Sequence, residues 1–164
     1  MWNLFPDRRP GAAVAVGCAA LLLTSAAGWL KFHDVQQRES LLAGPEAVRA
    51  ATDSTIAMLS YSSDTVEADL LPVRDRLTGE FRDSFTTLVN DVVVPSARQK
   101  KTFSTATVPA AASISADGTH ALVLVYVNQT TAIDDDPPTD TASSVKVALE
   151  RIDGRWLVSD FTPI

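Results

Sequence analysis

The chain has 164 residues, of which 46% are hydrophobic and 21% charged, and its formal net charge is −6 at pH 7. An acidic chain of this size does not attract nucleic acid through its overall field, so we expect no nucleic acid partner. Its one cysteine, Cys18, excludes an intramolecular disulfide and therefore says nothing about the redox compartment.

The first predicted element is a membrane-spanning helix over Gly11–Leu30, an uncharged run that follows a short head containing Asp7-Arg8-Arg9. About 20 residues at helical rise just cross a hydrocarbon core of about 30 Å. A cleaved signal peptide is the alternative, because Ser25-Ala26-Ala27 resembles a cleavage site. We favour the anchor, since the apolar core of a signal peptide spans only about 7–15 residues.

The chain is therefore predicted to consist of a head (1–10), a membrane helix (11–30), a stalk (31–44) and one domain (45–164). The basic residues that flank the membrane helix are nearly balanced, so charge sets the orientation only weakly. Residues 31–164 contain neither cysteine nor a nucleotide-binding motif. We expect a single-pass protein of the inner (cell) membrane, with a cytoplasmic head and an extracytoplasmic domain.

Three helices are predicted at the start of the domain. Gly44-Pro45 marks the beginning of the first helix, and the second is short and centred on Val66–Leu71. The third begins at Thr78, and Val94-Pro95 ends or kinks it. Its buried stripe is predicted from helical spacing to comprise Phe81, Phe85, Leu88 and Val92.

Four strands follow the helices in the prediction. They cover Thr102–Ser115, His120–Thr131, Val145–Ile152 and Arg155–Thr162. Pro109 restricts the first strand to an edge or a bulge, and the second is apolar on both faces and so is predicted to be central. A long loop, Thr130–Ser144, precedes the last pair. The element order predicts an α+β domain with helices on one antiparallel sheet.

The last two strands are predicted to form a hairpin around Asp153-Gly154, the strongest turn signal in the chain. A two-residue turn with regular pairing places Val147 opposite Asp160 on the core side. A buried Asp160 would be a functional acid. We favour a solvated position at the sheet rim, since unpaired buried carboxylates are rare.

Several motifs resemble those of the Mce-associated membrane proteins, an actinobacterial family encoded alongside mammalian-cell-entry (Mce) lipid transporters. The resemblance rests on the N-terminal anchor and on four motifs of the domain. They are Leu77-Thr78-Gly79-Glu80-Phe81, Val92-Val93-Val94-Pro95, the strand end Val127–Thr131, and the terminal segment Leu149–Asp160.

The resemblance implies a nuclear transport factor two-like fold, in which helices close a cone over a curved sheet. It also implies a non-catalytic accessory subunit of a lipid importer. The expected partners are Mce transporter subunits, both the permease and the exported Mce proteins, and no cofactor is expected. Small residues would let the membrane helix approach permease helices closely. Candidate contacts are Gly17, Ala20, Ala27 and Gly28.

Two alternatives remain open. In the first, the domain binds a lipid ligand in the apolar cavity of the cone. The candidate lining residues are Phe81, Phe85, Tyr126, Val147, Trp156 and Asp160. In the second, the least favoured, Asp160 and Tyr126 act as acid and base of an enzyme with the same fold. No metal site is predicted, because His33 and His120 lack ligand partners and Asp134-Asp135-Asp136 departs from a calcium-binding loop.

Overall fold

The computed structural model describes residues 42–164. The predicted head, the membrane helix and residues 31–41 of the stalk lie outside the described residues. Within residues 42–164, no helix is both long enough and apolar enough to cross a bilayer.

The first helix, α1, occupies residues 42–59 of the described chain. It runs through Gly44 and Pro45, so the predicted helix start at this dipeptide is wrong. Ala43, Ala47 and Ala51 are fully buried. Their four-residue spacing places them on one face of the helix, and their small size lets the backbone of α1 approach the sheet closely.

The remaining helical segments follow without long loops. They are α2 (Val66–Leu70), a 3₁₀ segment (Leu71–Arg76), α3 (Gly79–Leu88), a π-helical turn (Val89–Val93) and α4 (Val94–Lys100). Leu77 lies beside Val158 in a parallel bridge, and the Thr78 N–H donates to the Val158 carbonyl at 2.9 Å. The start of α3 is thereby attached to the last strand.

The π-helical turn accounts for two errors in the predicted third helix. Val94 is helical, with φ −60° and ψ −53°, rather than extended. Its N–H bonds to the Val89 carbonyl, five residues back, so the widened turn carries the helix past Pro95. The extra residue also rotates the residues of the turn relative to α3, so Val92 leaves the buried face. Before the turn, the buried face follows the four-residue spacing of Phe81, Phe85 and Val89, which excludes Leu88. Val89 is buried, whereas the predicted core residues Leu88 and Val92 are each 51% exposed.

Five strands form one antiparallel sheet in the order β1-β2-β3-β4-β5. They are β1 (Tyr61–Ser62), β2 (Thr102–Ala116), β3 (His120–Ile133), β4 (Thr139–Ile152) and β5 (Arg155–Pro163). The central position of β3 and the bulge near Pro109 are confirmed. The predicted loop Thr130–Ser144 is wrong, because β3 and β4 pair as far as Thr131 and Thr139.

The β4–β5 hairpin has the predicted turn. Asp153 and Gly154 have φ values of 50° and 77°, as a type I′ turn requires. The predicted pairing holds from Ile152–Arg155 to Leu149–Val158, after which a bulge changes the register. Ala148 pairs with Asp160, so the predicted Val147–Asp160 pair is wrong.

The sheet has an inner face, which α1 and α3 cover, and an outer face. The inner face carries most of the main core. Its buried strand residues are Ala106, Ala121, Val123, Val125, Val127, Val145, Val147, Leu149, Trp156 and Val158. A smaller cluster, which includes Val66, Leu70 and Val89, packs α2 against the later helices.

A buried polar network joins the end of α1 to the sheet. Ser104 is 1% exposed, and its Oγ donates to the Leu59 carbonyl at 2.7 Å. Gln129 Nε2 donates to Ser104 Oγ at 2.8 Å, and the Ala106 N–H donates to Ser60 Oγ at 3.0 Å. Because each of these buried groups is paired, the network stabilises the α1–β2 junction.

Thr55 is the exception among buried hydroxyls. It is fully buried in α1, and its Oγ1 has no hydrogen-bond partner in the described part of the chain. A buried polar group without a partner costs about 1–3 kcal/mol. Thr55→Val should therefore raise the free energy of unfolding by about 1 kcal/mol. Ser104→Ala is the matched control and should lower it by a similar amount, as measured by urea denaturation. A destabilised Thr55→Val variant would contradict the assignment.

The hairpin turn makes a second prediction. A Cβ added at Gly154 would contact nothing, so the cost of Gly154→Ala arises only from its positive φ. We expect a loss of about 1–2 kcal/mol in thermal or urea denaturation. Gly44→Ala is the control, because its Cβ would lie 3.7 Å from Ser113 Oγ within a helix. This variant should be neutral or stabilising by up to about 1 kcal/mol.

Candidate functional site

Four of the predicted cavity residues fill the interior of the domain. Val147 is fully buried and Trp156 is 9% exposed. Phe81 and Phe85 are half-buried and pack against the same core, with ring centroids 6.4 Å apart and planes inclined by 42°. The inner face of the sheet is therefore occupied by protein side chains at the place where the lipid-binding alternative requires a cavity.

The other two predicted cavity residues lie on the outer face. Tyr126 is 47% exposed and pairs with Ala110 and Ser144. Asp160 is exposed, and its Oδ2 accepts a hydrogen bond of 2.6 Å from Thr162 Oγ1. The bulge after Val158 turns Asp160 away from the core. Asp160 and Tyr126 thus do not join the other four residues. The favoured solvated position of Asp160 is confirmed, and the alternative of a buried acid is wrong.

A polar cluster that the sequence did not reveal attaches α1 to the β4–β5 hairpin. Trp156 Nε1 donates to Glu46 Oε2 at 3.4 Å, and Arg151 Nη2 lies 3.4 Å from the same oxygen. The Arg151 guanidinium stands 5.7 Å from the centre of the Trp156 ring. The hairpin register predicts the Arg151–Trp156 pair, but nothing in the sequence identifies Glu46 as their partner.

This cluster borders a groove at one end of the sheet, lined also by Leu42, Gly118 and Gly154. The adjoining β2–β3 turn is held by Asp117. Hydrogen bonds from the backbone N–H groups of Thr119 and His120 keep the pKa of the Asp117 carboxyl below its usual range. The Asp117 carboxylate accepts these hydrogen bonds within the turn, so it is not free to act as a catalytic group in the groove.

A second groove, of about 570 Å³, lies beside the 3₁₀ segment and α3. Its charged residues alternate in sign. Arg74 Nε lies 3.7 Å from Asp75 Oδ1, and Arg82 Nε lies 3.4 Å from Asp83 Oδ1. Exposed pairs of neighbouring residues contribute little energy. The groove combines both signs of charge and thus has no marked preference for an anion or a cation.

Within residues 42–164, no group of three His, Cys, Asp or Glu side chains is arranged to hold a metal ion. The triple aspartate lies in the β3–β4 turn. Its first member, Asp134, accepts a 2.8 Å hydrogen bond from Lys101 Nζ, which raises the pKa of the Lys101 ammonium. The aspartate thus serves as the partner of a lysine.

The outer face of the sheet carries an apolar patch at its centre. Leu122, Leu124 and Tyr126 alternate along β3 with the buried residues of the inner face. Leu122 and Leu124 are half-buried. A shallow depression around Tyr126 is lined by both apolar and polar residues, namely Pro109, Ala110, Asn128, Ala142, Ser143, Ser144 and Ile164. The sequence shows that β3 is apolar on both faces. Within residues 42–164, only its inner face is covered by other elements.

The predicted membrane-helix contacts Gly17, Ala20, Ala27 and Gly28 lie outside the described residues. The candidate surfaces in the described domain are thus the outer face and the two polar grooves.

Three solved structures of bacterial proteins share this fold. An IcmL-like type IV secretion system protein from Legionella pneumophila has a TM-score of 0.59 and 13% identity, and the match covers 71% of this chain and 90% of that chain. A periplasmic fragment of TraM has a TM-score of 0.60 and 10% identity, with 73% of this chain and 95% of that chain covered. VirB8 of Agrobacterium tumefaciens has a TM-score of 0.56 and 16% identity, with 72% of this chain and 90% of that chain covered. At these identities the likeness concerns the fold alone.

Sequence relatives from Mycobacterium tuberculosis are much closer. The "Outer membrane protein Rv1973" is 53% identical over 145 residues, which are 88% of this chain and 91% of the relative. The "Uncharacterized protein Rv1362c" is 38% identical over 168 aligned positions, covering 100% of this chain and 76% of the relative. A family profile also matches residues 10–159. The chain therefore belongs to the family described as "Uncharacterized protein Rv1363c/MT1408-like".

Proposed function

We propose that this protein is a non-catalytic, membrane-associated accessory subunit of a Mce-type lipid importer. The observation that carries the accessory role is the filled inner face of the sheet. Val147 and Trp156 are packed within a continuous core. A domain of this kind acts through its surface, by docking on other subunits, rather than by enclosing a small molecule.

Membrane association has two supports. The first is the uncharged run Gly11–Leu30, long enough for one span. The second is the name "outer membrane protein" carried by a relative that is 53% identical. In this proposal the run is an anchor in the cell membrane, and the domain lies on the extracytoplasmic side.

A role within a multiprotein assembly is supported by the fold. Two proteins with similar structures are an IcmL-like type IV secretion system protein and a periplasmic fragment of TraM. The lipid importer itself rests on the motifs shared with Mce-associated proteins. The largest, Leu149–Asp160, forms the β4–β5 hairpin, whose Arg151 and Trp156 contact Glu46 of α1. The motif thus serves to hold the helix and the hairpin together, as a docking scaffold requires.

The lipid-binding alternative receives less support from the geometry. A ligand pocket for a small molecule generally has a volume of about 300–1,000 Å³ and mostly apolar walls. The groove of about 570 Å³ next to α3 is instead lined by charged and polar side chains. The more apolar depression, of about 590 Å³, is open on the outer face and contains only Tyr126 of the six candidate lining residues. For the enzymatic alternative, Asp160 is solvated and bonded to Thr162. The proposed role of the subunit therefore does not depend on catalysis by Asp160.

Affinity purification tests the assembly. The full-length chain carries a C-terminal tag, is expressed from its own locus, and is extracted from native membranes with a mild detergent. Mass spectrometry should identify the permease and exported Mce proteins as its main partners. Recovery of the intact chain with a different assembly, or with no partner after chemical cross-linking, would refute the importer assignment.

The anchor provides a more specific prediction. Replacing Gly17, Ala20, Ala27 and Gly28 together with leucine keeps the run apolar but removes the small surfaces that allow close helix approach. Recovery of the permease should fall at least severalfold, while the amount of membrane-inserted protein stays constant. The control replaces Leu21, Leu22 and Leu23 with isoleucine and should retain the permease. Equal recovery from both variants would mean that the anchor is only a tether.

A further inference from the structure

The outer face of the sheet is more apolar than a solvated sheet face needs to be. In antiparallel sheets with one solvated side, outward residues are usually polar. Here Leu122 and Leu124 lie at the centre of the outer face, and Leu157 of β5 lies nearby. Tyr126 is 47% exposed. The helices described in residues 42–164 pack on the other side, so the outer face is left without a second layer within this part of the chain.

We propose that a second copy of this chain covers the outer face. The two sheets pack face to face about a two-fold axis that crosses the strands at Ala148. Such an interface uses the same surface on both copies, so each residue must meet an acceptable partner from that surface. The proposal is independent of the importer assignment.

The charge pattern of β4 meets this requirement. Lys146, Ala148 and Glu150 project from the outer face at successive outward positions. A two-fold axis at Ala148 brings Lys146 of each copy opposite Glu150 of the other. Within one copy these side chains are about 13 Å apart along the strand, too far to pair. Neither has an ion-pair partner among the described residues.

The same axis places apolar residues at the centre of the interface. Leu122 pairs with Ala148 on the neighbouring strand, so it lies in the same row and faces its own counterpart. β4 ends at Ile152, four residues beyond the axis, so the two sheets overlap over only about nine residues of four strands, or roughly 500–600 Å² at a strand spacing of about 4.8 Å. A standard protein interface buries about 800 Å² per partner. The overlap is smaller than this standard area, so we expect a weak dimer.

One contact in this arrangement is unfavourable. Asp160 pairs with Ala148 and therefore also lies in the row of the axis. It is on the edge strand and exposed, so the two Asp160 carboxylates meet at the solvated rim, where solvent and salt weaken their repulsion. Asp160→Asn removes this repulsion and should therefore tighten the dimer.

Cysteine cross-linking of the full-length chain in detergent tests the geometry. In a Cys18→Ala background, Ala148→Cys places the two thiols against each other at the axis, and mild oxidation should yield a disulfide-linked dimer. The matched control is Ser84→Cys, an exposed position on α3. It should remain largely monomeric under the same conditions. Equal cross-linking of the two variants would overturn the proposal.

Charge reversal distinguishes a second copy from any other partner. Lys146→Glu and Glu150→Lys should each weaken dimerisation roughly tenfold in analytical ultracentrifugation, because each creates two like-charge contacts. The double variant restores both pairs and should return the dissociation constant to within about threefold of the original. Lys100→Glu, remote from the outer face on α4, should have no effect.

The outcomes of the reversal experiment are decisive. Circular dichroism at the assay temperature must show the same folded spectrum for all variants, so that a misfolded variant is not read as a monomer. A chain that is monomeric throughout, or a double variant no better than the singles, would overturn the proposal. Recovery of a monomeric chain with a different protein bound to the outer face would also overturn it.

Discussion

Close packing of α1 on the inner face of the sheet is the interaction on which the rest of the domain depends. Ala43, Ala47 and Ala51 leave room for the helix to lie directly against the strands. Because the helix approaches so closely, the aromatic and branched side chains of β3, β4 and β5 fill the remaining space. The same approach brings Glu46 to the hairpin pair of Arg151 and Trp156. Side chains thus fill the interior of the domain, which leaves its surfaces as the candidate sites.

Much of this arrangement was predictable, because the strands follow a simple rule. Alternation with a period of two makes the inner-face set certain once one member is placed, and the Asp153-Gly154 turn sets the register of the hairpin. The presence of the helices was likewise predictable from apolar residues that recur every three or four positions. The errors arose where one residue was inserted: the π-helical turn near Val89 and the bulge after Val158. The position of the bulge depends on tertiary packing, which the local sequence does not report. Pro95 is visible in the sequence, but whether the helix ends there or passes it through a π-helical turn also depends on packing.

The candidate sites were less predictable than the fold. Val147 and Trp156 were placed on the inner face correctly, but whether that face encloses a cavity depends on how close the helices come, which periodicity does not report. Glu46 had no visible role, because its partners are about one hundred residues away in the chain. The one surface signal present in the sequence was the two-sided apolar character of β3, which was interpreted only as the mark of a central strand.

The bulge after Val158 has a consequence for comparing this domain with its relatives. It acts as a frameshift in the side-chain alternation, so the loss of one residue there would exchange the faces occupied by Asp160 and Phe161. A phenyl ring that now completes the core would be replaced by a carboxylate. One deletion could in this way convert a packed scaffold into a domain with an interior acid, without any substitution. Alignments that ignore the gap would assign site residues to the wrong side of the sheet.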